Sequence, residues 1–472
     1  MGLSRRLGSF TGRVVVLGFG SIGQAVLPLL FDSFGIAPSQ VRIVTAGENG
    51  AEIARALGVA LRVQALTQQN HEAVLAPLLG PGDLLLNVSV DVSSLALVRF
   101  CAPRGVLYLD ACCEPWAGRY MNPDLPPTQR SNYALREELL AFRREHPRAP
   151  TACITQGANP GLVSCFVKVA LLQMAADLRL AIEPPSTPEA WAALARRLDV
   201  KVIHIAERDT QVAAPRKQPG EFINTWSVDG FVDEGLQPSE LGWGTHERHW
   251  PADALRHGYG CEAAIMLNRP GIATRVRTWT PLQGPFHAFL VTHGEAISIP
   301  DHFTLREEGA VVYRPTVHYA YHPCDDTVAS LHELAGRNWR LQPRRRIIRD
   351  DIVSGMDELG VLLMGNARGV YWYGSRLAIE QARALAPYNN ATTLQVVAGI
   401  VGAITWALRH PDRGVVEADE MDHVLMLDAA RPWLGEVVGM WGDWTPLADR
   451  SRLFPEPKDA DDPWQFINFR VA

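Results

Sequence analysis

Short runs of β-branched residues and leucine alternate with helical apolar spacing through the first part of the chain. The run from Arg13 to Leu17 is followed by a glycine-rich turn. Ala25, Val26, Leu29 and Leu30 then recur at the three- and four-residue steps that place one face of a helix against a core. Further apolar runs at 41–44, 61–65, 83–88 and 106–109 predict strands. Strands alternating with helices predict a parallel sheet wound by right-handed crossovers.

The texture changes after the proline-bearing stretch 147–150. Asn159-Pro160-Gly161-Leu162-Val163 predicts a helix start, with Asn159 as its cap and Pro160 at the first helical position, where the missing N–H costs nothing. Between 201 and 374 the pattern is rich in strands, at 201–205, 286–292 and 310–313 among others, separated by Gly/Pro turns. The apolar, small-residue stretch 393–408 reads as a helix that returns to pack on the first domain. The expected organisation is a nucleotide-binding domain over 1–155 with a returning helical segment near 385–410, a mixed α/β substrate domain over 156–384, and a C-terminal extension over 411–472 packed on the body. At 472 residues the chain is about twice the length at which one core divides, in keeping with two domains. Arg344-Arg345-Arg346 reads as a solvated turn, with a phosphate or partner site as the alternative.

With 47% hydrophobic and 20% charged residues, the composition excludes a disordered chain. A formal net charge of -6 leaves no electrostatic footprint for nucleic acid and suits a cationic substrate. The segment 1–13 carries three arginines but no apolar run, and no uninterrupted apolar stretch has membrane-spanning length, so a cytoplasmic protein with no membrane partner is expected. The seven cysteines show neither CxxC nor paired Cys/His spacing, which argues against a disulfide framework or structural zinc. Cys112 and Cys113 read as small buried thiols after a strand, with a nucleophile as the alternative, and no chemistry is assigned to them. No Glu/His cluster has metal spacing, so no metal is expected. No Gly-x-Ser-x-Gly or phosphate-binding Lys loop is visible, which disfavours serine hydrolysis and phosphoryl transfer.

The turn after the first strand is Gly18-Phe19-Gly20-Ser21-Ile22-Gly23. In a Rossmann-type doubly wound α/β domain, Gly18 permits the tight turn, Gly20 lets the backbone approach a pyrophosphate, and Gly23 lets helix and strand pack closely. Ser21 and Ile22, which open the helix, and Thr45, which ends the second strand, complete the expected cofactor contacts. The acid that would bind the ribose is missing from its usual place. Thr45-Ala46-Gly47-Glu48 offers Glu48 as a displaced candidate or, equally, a solvated loop acid, and no arginine follows to hold a 2′-phosphate. NAD is therefore expected over NADP. Two later strands run into loops with acids, Asp91 and Glu114, at the sheet edge where such folds bind ligands.

Taken with Leu109-Asp110 and Glu114-Pro115-Trp116, with Gly157-Ala158-Asn159-Pro160-Gly161-Leu162-Val163-Ser164, with Asn224-Thr225-Trp226-Ser227 and with Asn390-Ala391-Thr392-Thr393-Leu394-Gln395, the glycine turn resembles the bacterial homospermidine synthase family. That family is related to saccharopine dehydrogenase and carboxynorspermidine dehydrogenase. The resemblance implies condensation of two putrescine molecules to homospermidine with loss of ammonia, through oxidation to an imine, amine exchange and re-reduction by the same NAD. It also implies substrate residues at Asp91, Glu114, Asn159, Glu207, Trp226, Glu234 and His293.

The residue types suit that chemistry, because a diamine carries an ammonium at each end and carboxylates accept from it. Asp91, Glu114 and Glu234 would bind substrate, while Glu207, Asn159, Trp226 and His293 would act in catalysis. Trp226 can offer its ring face to a cation, and His293 can move the proton an amine must lose. Each has a plainer reading: paired surface acids for Glu207 and Glu234, a core tryptophan among 13, a structural histidine, and a helix cap for Asn159. A reductive condensation with an amino-acid derivative, which would need a convergent arginine, and a nucleotide-binding protein without turnover are the competing functions. A homodimer is the expected assembly.

Overall fold

The computed structural model describes residues 6–120 and 122–471. Part of the arginine-bearing segment 1–13 thus lies outside the described residues.

All four residues of β1 (Val14–Leu17) are buried, which places this strand at the centre of a sheet covered on both faces. Around it, the described residues form a seven-stranded sheet of β2 (Val41–Thr45), β3 (Ala60–Val63), β4 (Leu84–Asn87), β5 (Leu107–Asp110), β6 (Ala152–Cys153) and the two-residue strand Val415–Val416. Every pairing is parallel, and the strands after β1 grow first to one side through β2 and β3 and then to the other through β4, β5 and β6. The reversal beside β1 opens a crevice at the carboxyl ends of β1 and β4, the ligand position of doubly wound sheets. The helix α1 (Ser21–Phe34) starts at that crevice.

A second, mixed sheet of ten strands among the described residues contains β7 (Val202–Asp209), flanked by the parallel strand Thr316–His322 and the antiparallel strand Met356–Met364. Two-residue alternation along β7 divides its side chains between two environments. Ile203 and Ile205 join the main core, whereas Val202 and Ala206 pack on the far side with Phe466 and Phe469 of the C-terminal segment. Glu207 shares parity with Ile203 and Ile205 and is thereby aimed at the first domain.

The helix Ala391–Arg409 returns from the second sheet to pack against α1. By length and composition it could cross a membrane, but 89% of its apolar window is buried inside the protein, so its apolar faces serve the core. The stretch 411–472, expected as an extension packed on the body, contributes strands to both sheets: Val415–Val416 pairs with β6, and Glu436–Gly442 pairs with Val370–Ala378. Its apolar residues complete existing sheets because two or seven residues cannot bury themselves alone.

The solvated-turn reading of Arg344-Arg345-Arg346 is corrected. These residues begin the strand Arg344–Ile347, which pairs in parallel with Glu221–Asn224. Arg346 reaches Glu221 at 3.0 Å and Arg345 reaches Asp229 at 2.6 Å, so acids on neighbouring elements neutralise a run that otherwise repels itself.

Candidate active site

The amino end of α1 is built to receive an anion. Gly20 caps the helix without a side-chain hydrogen bond and no acid lies in the first turn, so its leading N–H groups point into the crevice. Gly18 has φ +84°, and a Cβ there would come within 2.7 Å of the Val88 carbonyl, whereas a Cβ on Gly20 would meet nothing within 4 Å. Gly23 lies under the turn, its would-be Cβ 2.5 Å from the Gly18 carbonyl. The turn thus holds itself shut on the protein side and leaves open the space over Gly20, which fits a dinucleotide's pyrophosphate. Thr45 ends β2 half-buried, and Glu48 is exposed on the turn beyond it.

From Gly20, Ser21 and Ile22 a cavity of about 170 Å³ runs between the domains to Glu114, Asn159, Glu207, Trp226, Glu234 and His293. Ser21 Oγ donates to the backbone carbonyl of Trp226, so the cofactor helix and the second domain meet beside the tryptophan. The Trp226 ring packs edge-on against Phe231 with centroids 5.8 Å apart. Asp91 does not join the cavity wall. It is exposed at the rim with φ 63°, and its backbone N–H approaches the Glu114 carboxylate at 3.4 Å.

Asn159 is not a helix cap. The helix Leu162–Asp177 is capped by Gly161 at φ 128°, and the Asn159 amide nitrogen donates instead to Glu207 at 2.6 Å. The intervening Pro160-Gly161 turn carries Asn159 away from the helix end and towards the cavity. Glu207 also accepts the Tyr319 hydroxyl at 2.6 Å. Burial pushes the Glu207 carboxyl up to about 7, against the opposing pull of these two hydrogen bonds. It can therefore exchange a proton near neutral pH.

His293 stands between two acids, with Nδ1 3.0 Å from Glu295 and Nε2 3.5 Å from Glu234. Burial alone would favour the neutral ring, but the charges of Glu295 and Glu234 prevail and push the imidazole up to about 10. The ring is an imidazolium at neutral pH. It also lies against the Tyr319 ring, centroids 4.4 Å apart.

Glu114 is raised well above the ordinary carboxylate range, first by burial and then by the charge of Glu234. Cys112 lies beside this pair, Sγ 3.8 Å from Glu234 Oε1, and burial with the neighbouring acids keeps its thiol protonated. Glu114 and Glu234 thus stand together in the lining with Trp226, residue types suited to a cation. Among the described residues no group of three or more His, Cys, Asp or Glu side chains is arranged to hold a metal ion.

Tyr319 and Glu295 were missed in the sequence. Glu295 was within reach, since it follows His293 by two residues at the start of a helix. Tyr319 gave no signal, because in Thr316–His322 it is one of several alternating aromatic and histidine side chains, and only the pairing with β7 brings it beside Glu207.

Known proteins share this architecture. The family models described as the saccharopine dehydrogenase NADP binding domain and the saccharopine dehydrogenase C-terminal domain match residues 14–154 and 157–443. A homospermidine synthase of Blastochloris viridis is 51% identical over 464 residues, covering 98% of this chain and 97% of the relative. One from Mesorhizobium japonicum is 47% identical over 471 residues, with 98% and 97% covered. The crystal structure of the Legionella pneumophila homospermidine synthase in complex with NAD superposes with a TM-score of 0.93 at 49% identity, over 100% of both chains. With the glycine turn, the inter-domain cavity and these likenesses together, the chain belongs to the homospermidine synthase family, on the two-domain fold of the saccharopine dehydrogenases.

Proposed function

We propose that this protein is an NAD-dependent homospermidine synthase, which joins two putrescine molecules with release of ammonia and no net redox change. The observation that carries the reading is the lining of the inter-domain cavity: Glu114, Glu207 and Glu234 with Trp226, and no arginine among the described side chains that border it. A substrate with carboxylates, as in the competing reductive condensation, would find no arginine there for bidentate pairing.

Gly18, Gly20, Ser21, Ile22, Gly23 and Thr45 would hold the cofactor, and bound NAD would supply a reversible two-electron acceptor beside the substrate. One matched domain is described by NADP, but the relative solved in complex is with NAD. The turn after β2 supports NAD, because Glu48 would repel a 2′-phosphate and Ala46 and Gly47 cannot pair with one.

The residues divide the proton work by their environments. Glu207, poised about 7 and oriented by Asn159 and Tyr319, takes the proton that frees an amine lone pair. The His293 imidazolium donates to the nitrogen that departs. Glu114 and Glu234 hold the distal ammonium, with Asp91 attracting it at the rim. Trp226 holds the cationic carbon–nitrogen centre without forming a bond to it. Enclosure between the domains keeps water from hydrolysing the imine.

We place the domain division at about residue 155, which the matched ranges 14–154 and 157–443 support. We also read the enzyme as a cytoplasmic homodimer. The adjacent side chains of Leu453 and Phe454, 77% and 76% exposed, favour a subunit contact, which sedimentation would test.

The decisive experiment supplies putrescine and a catalytic amount of NAD, then follows homospermidine by mass, ammonia, and NADH absorbance. One ammonia for each homospermidine with no accumulation of NADH is expected. With deuterium on the carbon beside the reacting nitrogen, the label should return to product even when unlabelled NADH is added. NADH rising in step with product would reject the closed cycle.

A further inference from the structure

Behind His293 lies a second void of about 20 Å³, bordered by Asn132, Thr155, Gly294 and Glu417. Cys112, Pro160, Glu234 and His293 line both this void and the main cavity, so the two spaces meet across a wall of side chains. Roughly 10–15 Å³ suffices for one water molecule, and ammonia is of similar size. A four-carbon diamine does not fit. Ion pairs run from the void's lining towards the surface: Glu417 accepts from Arg136 at 2.6 Å, and Arg136 reaches Asp301 at 2.8 Å, whose side chain is 34% exposed.

We infer that this void is a holding site for the ammonia released at each turnover, and that ammonia leaves by the rear, past Arg136 towards Asp301. The inference rests on the proposed reaction. In that reaction the second amine bonds to the imine carbon and a proton passes from it to the first nitrogen. The bond to that nitrogen then breaks with its electron pair, releasing NH3 and leaving the new iminium. The main cavity is at that moment filled by the joined product, so an outlet on the His293 side removes the leaving group without parting the two domains.

Gly294 offers a way to fill the void. Its backbone is helical, and an added Cβ would lie 3.4 Å from Thr155 and 3.9 Å from Pro160, ordinary contacts with two wall residues. The experiment incubates wild type and Gly294→Ala with putrescine, NAD and ¹⁵N-ammonium chloride, and compares ¹⁵N returned to putrescine with homospermidine formed in the same tube.

The ratio should fall about tenfold in Gly294→Ala, corresponding to ~1.4 kcal/mol of ammonia binding. An unchanged ratio, with both rates lowered together, would overturn the holding site. Should the variant fail to fold, wild type alone decides: ammonium should slow homospermidine formation saturably while equal methylammonium does not, and equal effects of the two would overturn the inference. Homospermidine in the wild-type tube tests the underlying reaction separately.

Discussion

Tyr319 donates its hydroxyl to the buried carboxylate of Glu207 across 2.6 Å, which couples a strand of the second sheet to the group proposed to take the amine proton. The bond stabilises the ionised form and so restrains the rise that burial imposes. Tyr319→Phe should therefore raise the Glu207 pKa. The acid limb of the kcat/KM profile should move up by roughly one pH unit, the equivalent of a charged hydrogen bond of about 1.5 kcal/mol. A profile identical to wild type would remove Tyr319 from this role.

Glu295 is the nearest acid to His293, at 3.0 Å, and sustains its imidazolium form. In Glu295→Gln the imidazole pKa should fall, so the protonated donor is lost at lower pH and the basic limb of kcat moves down by about one to three units. NMR titration of the His293 ring would show the same shift. An unmoved limb and an unmoved ring would exclude the pairing.

Glu114 holds its proton partly because Glu234 is charged beside it, so a diammonium substrate has to displace that proton. Putrescine KM should accordingly rise as pH falls. Glu234→Gln should raise KM about tenfold or more, ~1.4 kcal/mol per tenfold, and delay the acid-side rise to lower pH because the neighbouring charge is gone. Steady-state kinetics over pH test both effects, and a pH-independent KM in wild type would contradict the receptor.

The open space at Gly20 and the tight contact at Gly23 separate binding from folding. Gly20→Val should keep the wild-type melting temperature and weaken NAD binding by on the order of tenfold or more, since its side chain meets no protein atom at Cβ. Gly23→Ala forces a Cβ to within 2.5 Å of the Gly18 carbonyl and should lower stability as well. Calorimetric titration and thermal melts distinguish the two, and unchanged NAD affinity in Gly20→Val would show the turn to be structural only.

Trp226→Ala should slow turnover with putrescine by about 2- to 30-fold, the range of a cation–π contact worth about 0.5–2 kcal/mol, with NAD affinity nearly intact. Trp226→Phe should lose less. Equal kcat in all three proteins would exclude a role for the ring face.

Local order along the chain determined the first domain. The apolar run ending at Leu17, the three glycines and the helical spacing from Ala25 to Leu30 specify strand, turn and helix from contacts a few residues apart, and the strands at 41–44, 83–88 and 106–109 lie where their runs predicted. Local order also misled: Asn159 reads as a cap because its neighbours could begin a helix, and three arginines read as a solvated turn because their partners Glu221 and Asp229 are far along the chain.

Tertiary structure alone decided how the site's groups act. Glu207, Asn159, Tyr319, His293 and Glu234 lie on five separate elements, and nothing in their sequence spacing sets the 2.6 Å bonds to Glu207 or the two acids about His293. The sequence named most of these residues, but their protonation depends on burial and on charges brought near by strand pairing and domain closure. A carboxyl raised to about 7 beside an imidazole raised to about 10 is a property of the folded cleft, because desolvation and Coulomb interaction act through space and not along the chain.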